Sequence, residues 1–152
     1  MASFRSYVWD PILLVSQMIT MQCLFYVSLG LWLYVIDSVM GLEKSIHQIL
    51  DHVEIADFNN GRPTMLASSL NCLTSAIGLR IIIGRSKQCF DFTSTLYFFH
   101  MIITWIYSGI PTHWGWWVLN AMCLALTTVL GEFLCMRAEM SAIPVTFALS
   151  NH

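Results

Sequence analysis

Four long apolar runs set the strongest limit on what this chain can fold into. They cover about residues 12–36, 65–83, 92–110 and 114–136. Each has close to the twenty residues that an α-helix needs to cross the hydrocarbon core of a bilayer. Only 11% of the 152 residues are charged and the mean hydropathy is +0.65, so a water-soluble fold could not cover its own surface. The sequence therefore predicts an all-α membrane protein, a single four-helix transmembrane domain over residues 1–152.

The connections between these runs predict how the helices are arranged. The turns at residues 84–91 and 111–114 are short, so consecutive helices should be antiparallel neighbours in an up-down bundle. Four spans put both termini, with the tail 137–152, on the same side as the 84–91 turn, and the loop 37–64 on the other. The first side holds five of the seven basic residues, Arg5, Arg80, Arg85, Lys87 and Arg137. The positive-inside rule therefore assigns that side to the cytosol. The loop is then lumenal.

Local signals mark where the helices begin. Asp10 and Pro11 predict the start of the first helix, with Asp10 as the N-cap and Pro11 in the first turn, where its missing N–H costs nothing. Asp91 is predicted to open the third helix in the same manner. Tyr7 and Trp9 are placed at headgroup level, where aromatic belts lie, and an arginine just before them is a cytosolic anchor.

Polar residues inside the apolar runs form two stripes at helical spacing. The stripe in the second run consists of Ser68, Asn71, Ser75 and Gly78, and the stripe in the fourth of Asn120, Thr127, Gly131 and Cys135. Interfaces between membrane helices are enriched in such small and polar residues. The stripes therefore predict interhelical packing, and they could face each other or a second copy of the chain.

His100 is the one histidine in the middle of a predicted span. A proton relay or metal site would require a second ionisable ligand at the same depth, and none is apparent. We therefore expect a neutral histidine that forms an interhelical hydrogen bond, with Asn71 or Asn120 as the candidate partner.

Three residues near the cytosolic interface have alternative interpretations. Glu132 is predicted to pair with a nearby arginine, either Arg80 or Arg137, in a snorkelling arrangement rather than to serve as a catalytic acid. Cys89 and Cys135 lie where reversible palmitoylation could occur, although little in the sequence supports it.

The sequence gives no indication of an enzyme, a cofactor or a metal site. It lacks the H-E-x-x-H, C-x-x-C, G-x-S-x-G and phosphate-loop motifs. The net charge of −2 and the absence of a basic tract also give no reason to expect nucleic-acid binding. These features favour a scaffold or docking receptor over a transporter, and a transporter over an enzyme.

Several sequence blocks resemble the SYS family of small Golgi integral membrane proteins. The first is FRSYVWDP at residues 4–11. The others are SLGLW at 28–32, KQCFDFT at 87–93, FFH at 98–100 and GEFLCMRAEMSAIP at 131–144. Their order and spacing extend the resemblance over nearly the whole chain, with least similarity in the loop 37–64.

The resemblance implies a receptor in the late, trans-Golgi membrane. Members of this family dock an ARF-related small GTPase that carries an N-terminally acetylated amphipathic helix in place of a myristoyl group. The docked GTPase promotes recruitment of an ARF-like GTPase and then of a golgin with a GRIP domain. The expected outcome is vesicle tethering and endosome-to-Golgi transport.

Residues at the cytosolic ends of the helices are the candidates for the docking face. They are Arg5, Tyr7, Trp9, Arg85, Lys87, Gln88 and Arg137. Membrane anchoring explains each of them equally well when it is taken alone. The alternative function is a small transporter or lipid-handling protein that uses the intramembrane polar residues Asn71, His100 and Asn120.

Overall fold

The computed structural model describes residues 10–43, 50 and 61–150, with side chains as far as residue 141. This part of the chain forms four helices, α1 (Pro11–Met40), α2 (Arg62–Ile82), α3 (Ser86–Ser108) and α4 (Trp114–Ser150). It contains no strand. The predicted all-α class is therefore confirmed for the described residues.

The start of α1 follows the prediction from Asp10 and Pro11. Oδ1 of Asp10 accepts hydrogen bonds from the backbone N–H groups of Ile12 (3.2 Å) and Leu13 (3.4 Å), and Pro11 begins the helix. These bonds satisfy two of the N–H groups that a helix start leaves without intrahelical partners. At the other end Gly41 adopts a left-handed conformation with φ of 69°, which glycine tolerates and which ends the helix.

The start of α3 differs from the prediction. The helix begins at Ser86, five residues before Asp91, so the expectation that Asp91 opens it is wrong. Gly84, with φ of 63°, ends α2 and turns the chain, and the next helix starts two residues later. Asp91 therefore lies in the second turn of α3, where it does not cap the helix.

The described helices carry their apolar residues outward as well as inward. Three of them, α1, α2 and the Trp114–Ser141 part of α4, are long and apolar enough to cross a membrane. In the most apolar stretch of each of these helices, only 22%, 39% and 28% of the residues are buried inside the bundle. Most of their surface therefore faces outward. Helix α3 is not among these three, and its sequence contains threonine, tyrosine and histidine between its apolar residues. A surface of this kind is matched to lipid rather than to water.

The helices run alternately up and down, but their order around the bundle is not the order of the chain. Helix α1 packs mainly on α2, α2 on α4, and α4 on α3, whereas α1 and α3 make few backbone contacts. Helices α2 and α3 therefore lie diagonally and touch through Cys72 and Tyr97 (Sγ–Oη 3.6 Å). The expectation that their short connection makes them packed neighbours is wrong, since three residues suffice to cross one end of the bundle.

Small residues allow close contact at the α2–α4 interface. A Cβ atom added at Gly131 would lie 2.7 Å from Cδ1 of Leu79, a side chain that is completely buried. Thr127 and Cys135, one turn to either side of Gly131, are also completely buried. This part of the stripe predicted in the fourth run therefore packs inside the bundle.

Candidate functional site

The predicted docking residues that the structure describes lie at one end of the bundle. We call it the Asp10 end, and it also contains the α2–α3 connection. Arg85 and Lys87 are exposed at the start of α3, and Gln88 is half-buried beside them. Arg137 is exposed on α4. The other three predicted residues lie outside the described part of the chain: Arg5, Tyr7 and Trp9.

Glu139 of α4 caps the start of α3, a role that the sequence did not reveal. Its Oε1 accepts from the backbone N–H of Ser86 at 3.4 Å, and its Oε2 accepts from the Ser86 hydroxyl at 3.1 Å. The N-cap residue, Arg85, makes no side-chain cap bond of its own. A carboxylate at this position stabilises the helix because it opposes the partial positive charge of the N-terminus. The capping pair is separated by 53 residues in sequence, so no local motif indicates it.

Asn71 joins α2 to α1 inside the bundle. The Ser28 hydroxyl on α1 donates to Oδ1 of Asn71, and both side chains are buried. The second predicted packing residue of α2, Ser75, is 1% exposed, and its hydroxyl has no hydrogen-bond partner among the described residues. Nearer the outside, Nε1 of Trp32 donates to Oγ1 of Thr74 at 3.0 Å. The polar stripe of α2 thus faces its neighbours and not the lipid.

His100 forms its hydrogen bond with a residue that the sequence analysis did not consider. Its Nδ1 lies 3.1 Å from the hydroxyl of Tyr26 on α1. The ring also stacks on Trp116 and meets Phe25 edge-on, with centroid distances of 6.5 and 5.5 Å. The expectation of an interhelical hydrogen bond holds for His100, but the proposed asparagine partners are wrong because Tyr26 takes that position.

Two predicted packing residues lie elsewhere than expected. Nδ2 of Asn120 donates to the backbone oxygen of Trp116 in its own helix at 2.9 Å, and the side chain is only half-buried. The hydrogen bond of Asn120 is therefore intrahelical, which corrects the expected interhelical role. Glu132 is exposed on the outer surface of α4, and Arg80 is exposed on α2.

Two of the buried cysteines lie close together at the Asp10 end of the bundle. Sγ of Cys89 on α3 lies 3.5 Å from Sγ of Cys135 on α4, and both side chains are completely buried. An acyl chain could not be attached to either thiol without opening this contact. Both therefore serve as small packing residues in this conformation.

A narrow groove separates α1 from α3 in the half of the bundle nearer the Asp10 end. It is lined by Met18, Met21 and Gln22 of α1 and by Phe92, Thr95, Leu96 and Phe99 of α3. Nε2 of Gln22 crosses the groove to the backbone oxygen of Leu96 at 3.4 Å. The Tyr26–His100 contact closes the seam one turn further along both helices. The groove arises because these two parallel helices make so few backbone contacts.

The described residues do not assemble a metal site. Within them, no three side chains of histidine, cysteine, aspartate or glutamate lie where they could hold a metal ion. What the arrangement offers is a charged surface at the Asp10 end and an apolar groove beside it.

The helical bundle with an apolar exterior defines an integral membrane protein. A family model described as "SYS1: Integral membrane protein S linking to the trans Golgi network" matches residues 4–145. The chain therefore belongs to the SYS1 family of integral membrane proteins linked to the trans-Golgi network, as its resemblance to the SYS family predicted.

Relatives from distant organisms agree with this assignment. The "Protein SYS1 homolog" of Nematostella vectensis is 46% identical over 99% of this chain and 96% of its own length. The homolog of Dictyostelium discoideum is 36% identical over 93% of this chain and 62% of its own length. "Protein SYS1" of Saccharomyces cerevisiae is 25% identical over 90% and 68%. No solved structure matches the chain.

Proposed function

We propose that the chain is a single domain that crosses the trans-Golgi membrane four times, with both termini in the cytosol. Three of the helices are apolar enough to span a bilayer by themselves, and α3 is antiparallel to α4 and packed against it. The Asp10 end, which carries Arg80, Arg85, Lys87 and Arg137, then faces the cytosol in accordance with the positive-inside rule.

At this cytosolic face the protein docks an ARF-related small GTPase through the acetylated amphipathic helix of that GTPase. The observation that carries this function is the group of exposed basic residues at the Asp10 end, Arg85, Lys87 and Arg137, on a chain of the SYS1 family. An amphipathic helix alone binds membranes weakly, and stable attachment takes a second signal. A protein surface at the membrane supplies that signal together with specificity that lipid lacks.

Docking then supports the recruitment of an ARF-like GTPase and a GRIP-domain golgin, and so vesicle tethering and endosome-to-Golgi transport. The protein itself needs no catalytic group or cofactor for this role, because its part is to hold the GTPase at the membrane.

Co-isolation with the GTPase tests this function. The full chain in mild detergent is mixed with GTP-locked and GDP-locked forms of an ARF-related GTPase. We expect binding to the GTP-locked form, and we expect Arg85→Glu combined with Lys87→Glu to weaken it about tenfold or more, since each reversal replaces an attraction at the interface by a repulsion. Arg62→Glu, an exposed charge reversal at the opposite end of α2, is the matched control.

Charge reversals in a connecting turn can also change membrane orientation. Protease protection of tags on the two termini therefore has to show the same topology for all variants. Failure of the wild-type chain to bind either nucleotide form would refute the receptor function. Binding that survives both reversals would remove the charged turn from the docking face.

A further inference from the structure

Two cysteine thiols lie in contact at the Asp10 end of the bundle. Sγ of Cys89 in the first turn of α3 and Sγ of Cys135 on α4 are 3.5 Å apart, and both side chains are completely buried. The sulfur atoms of a disulfide are about 2.05 Å apart, so these two have to approach each other by only about 1.5 Å. Because the thiols already point at each other, small rotations of the two side chains cover that distance. The pair is therefore placed for a direct bond between α3 and α4.

A neighbouring contact holds the two helices in this register. The hydrogen bond from Ser86 to Glu139 joins α3 to α4 one turn nearer the Asp10 end. The thiol of Cys89 also donates to the backbone oxygen of Arg85 at 3.4 Å, which orients its side chain. Two groups held side by side react with each other far faster than with a molecule that must first diffuse to them. Oxidation of either thiol is therefore followed by bond formation within the pair.

The burial of the pair restricts which modifications it can undergo. An acyl chain or a glutathione attached to either sulfur would need space that the closed contact does not provide. A disulfide adds no atoms, because it forms by loss of the two thiol hydrogens. Hydrogen peroxide, about the size of two water molecules, needs only a small opening to reach the sulfur atoms. The site therefore favours a small oxidant and a bond within the pair.

A second thiol contact in the described chain lies deeper. The thiols of Cys72 and Cys123 are hydrogen-bonded, and Sγ of Cys72 also lies 3.6 Å from Oη of Tyr97. Cys123 lies nine residues after Trp114, or about 14 Å along α4, whereas Cys135 lies twenty-one residues after it, or about 32 Å. The hydrocarbon core is about 30 Å thick, so Cys123 lies near its middle and Cys135 at its edge. Water-borne peroxide therefore reaches the pair at the Asp10 end first.

We propose that Cys89 and Cys135 form an oxidation site, at which hydrogen peroxide converts the two thiols into a disulfide that locks α3 to α4. The first thiol attacks one peroxide oxygen as its thiolate, the O–O bond breaks, and a sulfenic acid and one water form. The second thiol attacks the sulfenic sulfur, the S–O bond breaks, and a second water leaves. The two sulfurs together lose two electrons to the peroxide, and both thiol protons end in the water. Glutathione then has no access to the buried disulfide, so the lock outlasts the oxidant while the bundle stays folded.

The test exposes the full chain in lipid nanodiscs to hydrogen peroxide and then counts its free thiols. The chain is unfolded in N-ethylmaleimide, and its mass gives the number of blocked thiols. We expect the wild type, with five cysteines, to fall from five blocked thiols to three, and a peptide map to join Cys89 to Cys135. Cys89→Ala should keep all four of its thiols free. Cys123→Ala, the matched control from the deeper contact, should fall from four to two.

Glutathione disulfide, a much larger oxidant, should leave both thiols of the pair free. A mixed disulfide between glutathione and either cysteine would overturn the inference, since it would show that the contact is open to large molecules. Five blocked thiols in the peroxide-treated wild type would also overturn it, as would a disulfide that joins other cysteines while Cys89 and Cys135 stay free. Once formed, the bond should survive glutathione in the folded chain and be lost when the chain is unfolded in the same reductant. Equal loss from the folded and the unfolded chain would refute the lock.

Discussion

The hydrogen bond between Tyr26 and His100 joins α1 and α3, which pack least against each other among the pairs of adjacent helices in the bundle. Replacing Tyr26 by phenylalanine removes the hydroxyl at 3.1 Å from Nδ1 of His100 but keeps the ring, which packs edge-on against Phe25 at 5.4 Å. His100 is 7% exposed, so water from outside the bundle has little access to the vacated position. Hydrogen bonds between membrane helices contribute about 0.6 kcal/mol on average and up to about 1.7 kcal/mol. We expect Tyr26→Phe to lower the free energy of unfolding by an amount in the upper part of this range.

A double-mutant cycle in bicelles measures the pair directly. The free energy of unfolding is determined for the wild type, Tyr26→Phe, His100→Leu and the double variant. Because both residues take part in one bond, the effects should fall short of additivity by about 0.6–1.7 kcal/mol. The control combines Tyr26→Phe with Thr74→Val, which removes a different interhelical bond, to Trp32, and should be additive within about 0.5 kcal/mol.

Additive effects of Tyr26→Phe and His100→Leu would refute this reasoning. Ring packing, and not the hydrogen bond, would then join α1 to α3 at the level of His100. The cycle could instead give the expected coupling energy while Tyr26→Phe alone leaves the free energy of unfolding at the wild-type value. That result would mean that His100 finds another hydrogen-bond partner after the substitution.

Three other perturbations have expected outcomes. Gly131→Val should destabilise the bundle by about 1–3 kcal/mol in the same unfolding assay, because the new Cβ would lie 2.7 Å from the buried side chain of Leu79. Gly115→Val is the control: a Cβ there has no neighbour within 4 Å and should cause no clash. Glu139→Gln removes the carboxylate at the start of α3 and should lower the stability of that helix end by about 0.3–1 kcal/mol. The loss should appear as faster hydrogen exchange in the first turn of α3. Glu132→Gln, the same change at an exposed position of α4, should leave that exchange unchanged. Cys89 and Cys135 should give no signal in an acyl-exchange assay on Golgi membranes; a thioester at either would show that their buried contact opens.

The sequence was informative where a structure depends on neighbouring residues. Asp10 and Pro11 act within one turn of each other, and their prediction as the start of α1 is confirmed. The periodicity of the small residues placed Thr127, Gly131 and Cys135 on one face, and these positions are buried. Both features follow from the geometry of a single helix.

The sequence was misleading where a structure depends on the position of another helix. Nothing near Ser86 shows that a carboxylate from α4 caps the helix at that point, so the later Asp91 was the better local candidate. The partner of His100 likewise depends on α1 lying beside α3. The diagonal position of α2 and α3 could not be predicted either, since a short connection limits the distance between helix ends but not the packing of the whole helices.

The uneven packing divides the chain into two helical hairpins, α1 with α2 and α3 with α4, that share one tight interface between α2 and α4. The α1–α3 seam lies on the opposite side, and no loop joins these two helices directly. A small rotation about the α2–α4 interface would therefore widen the seam while each hairpin keeps its own contacts. Such opening would break the side-chain bonds of Gln22 and Tyr26 and separate Phe25 from Tyr97 and His100. Substitutions at Gln22 and Tyr26 are thus a means of adjusting how readily the bundle opens, because neither bond lies within a hairpin.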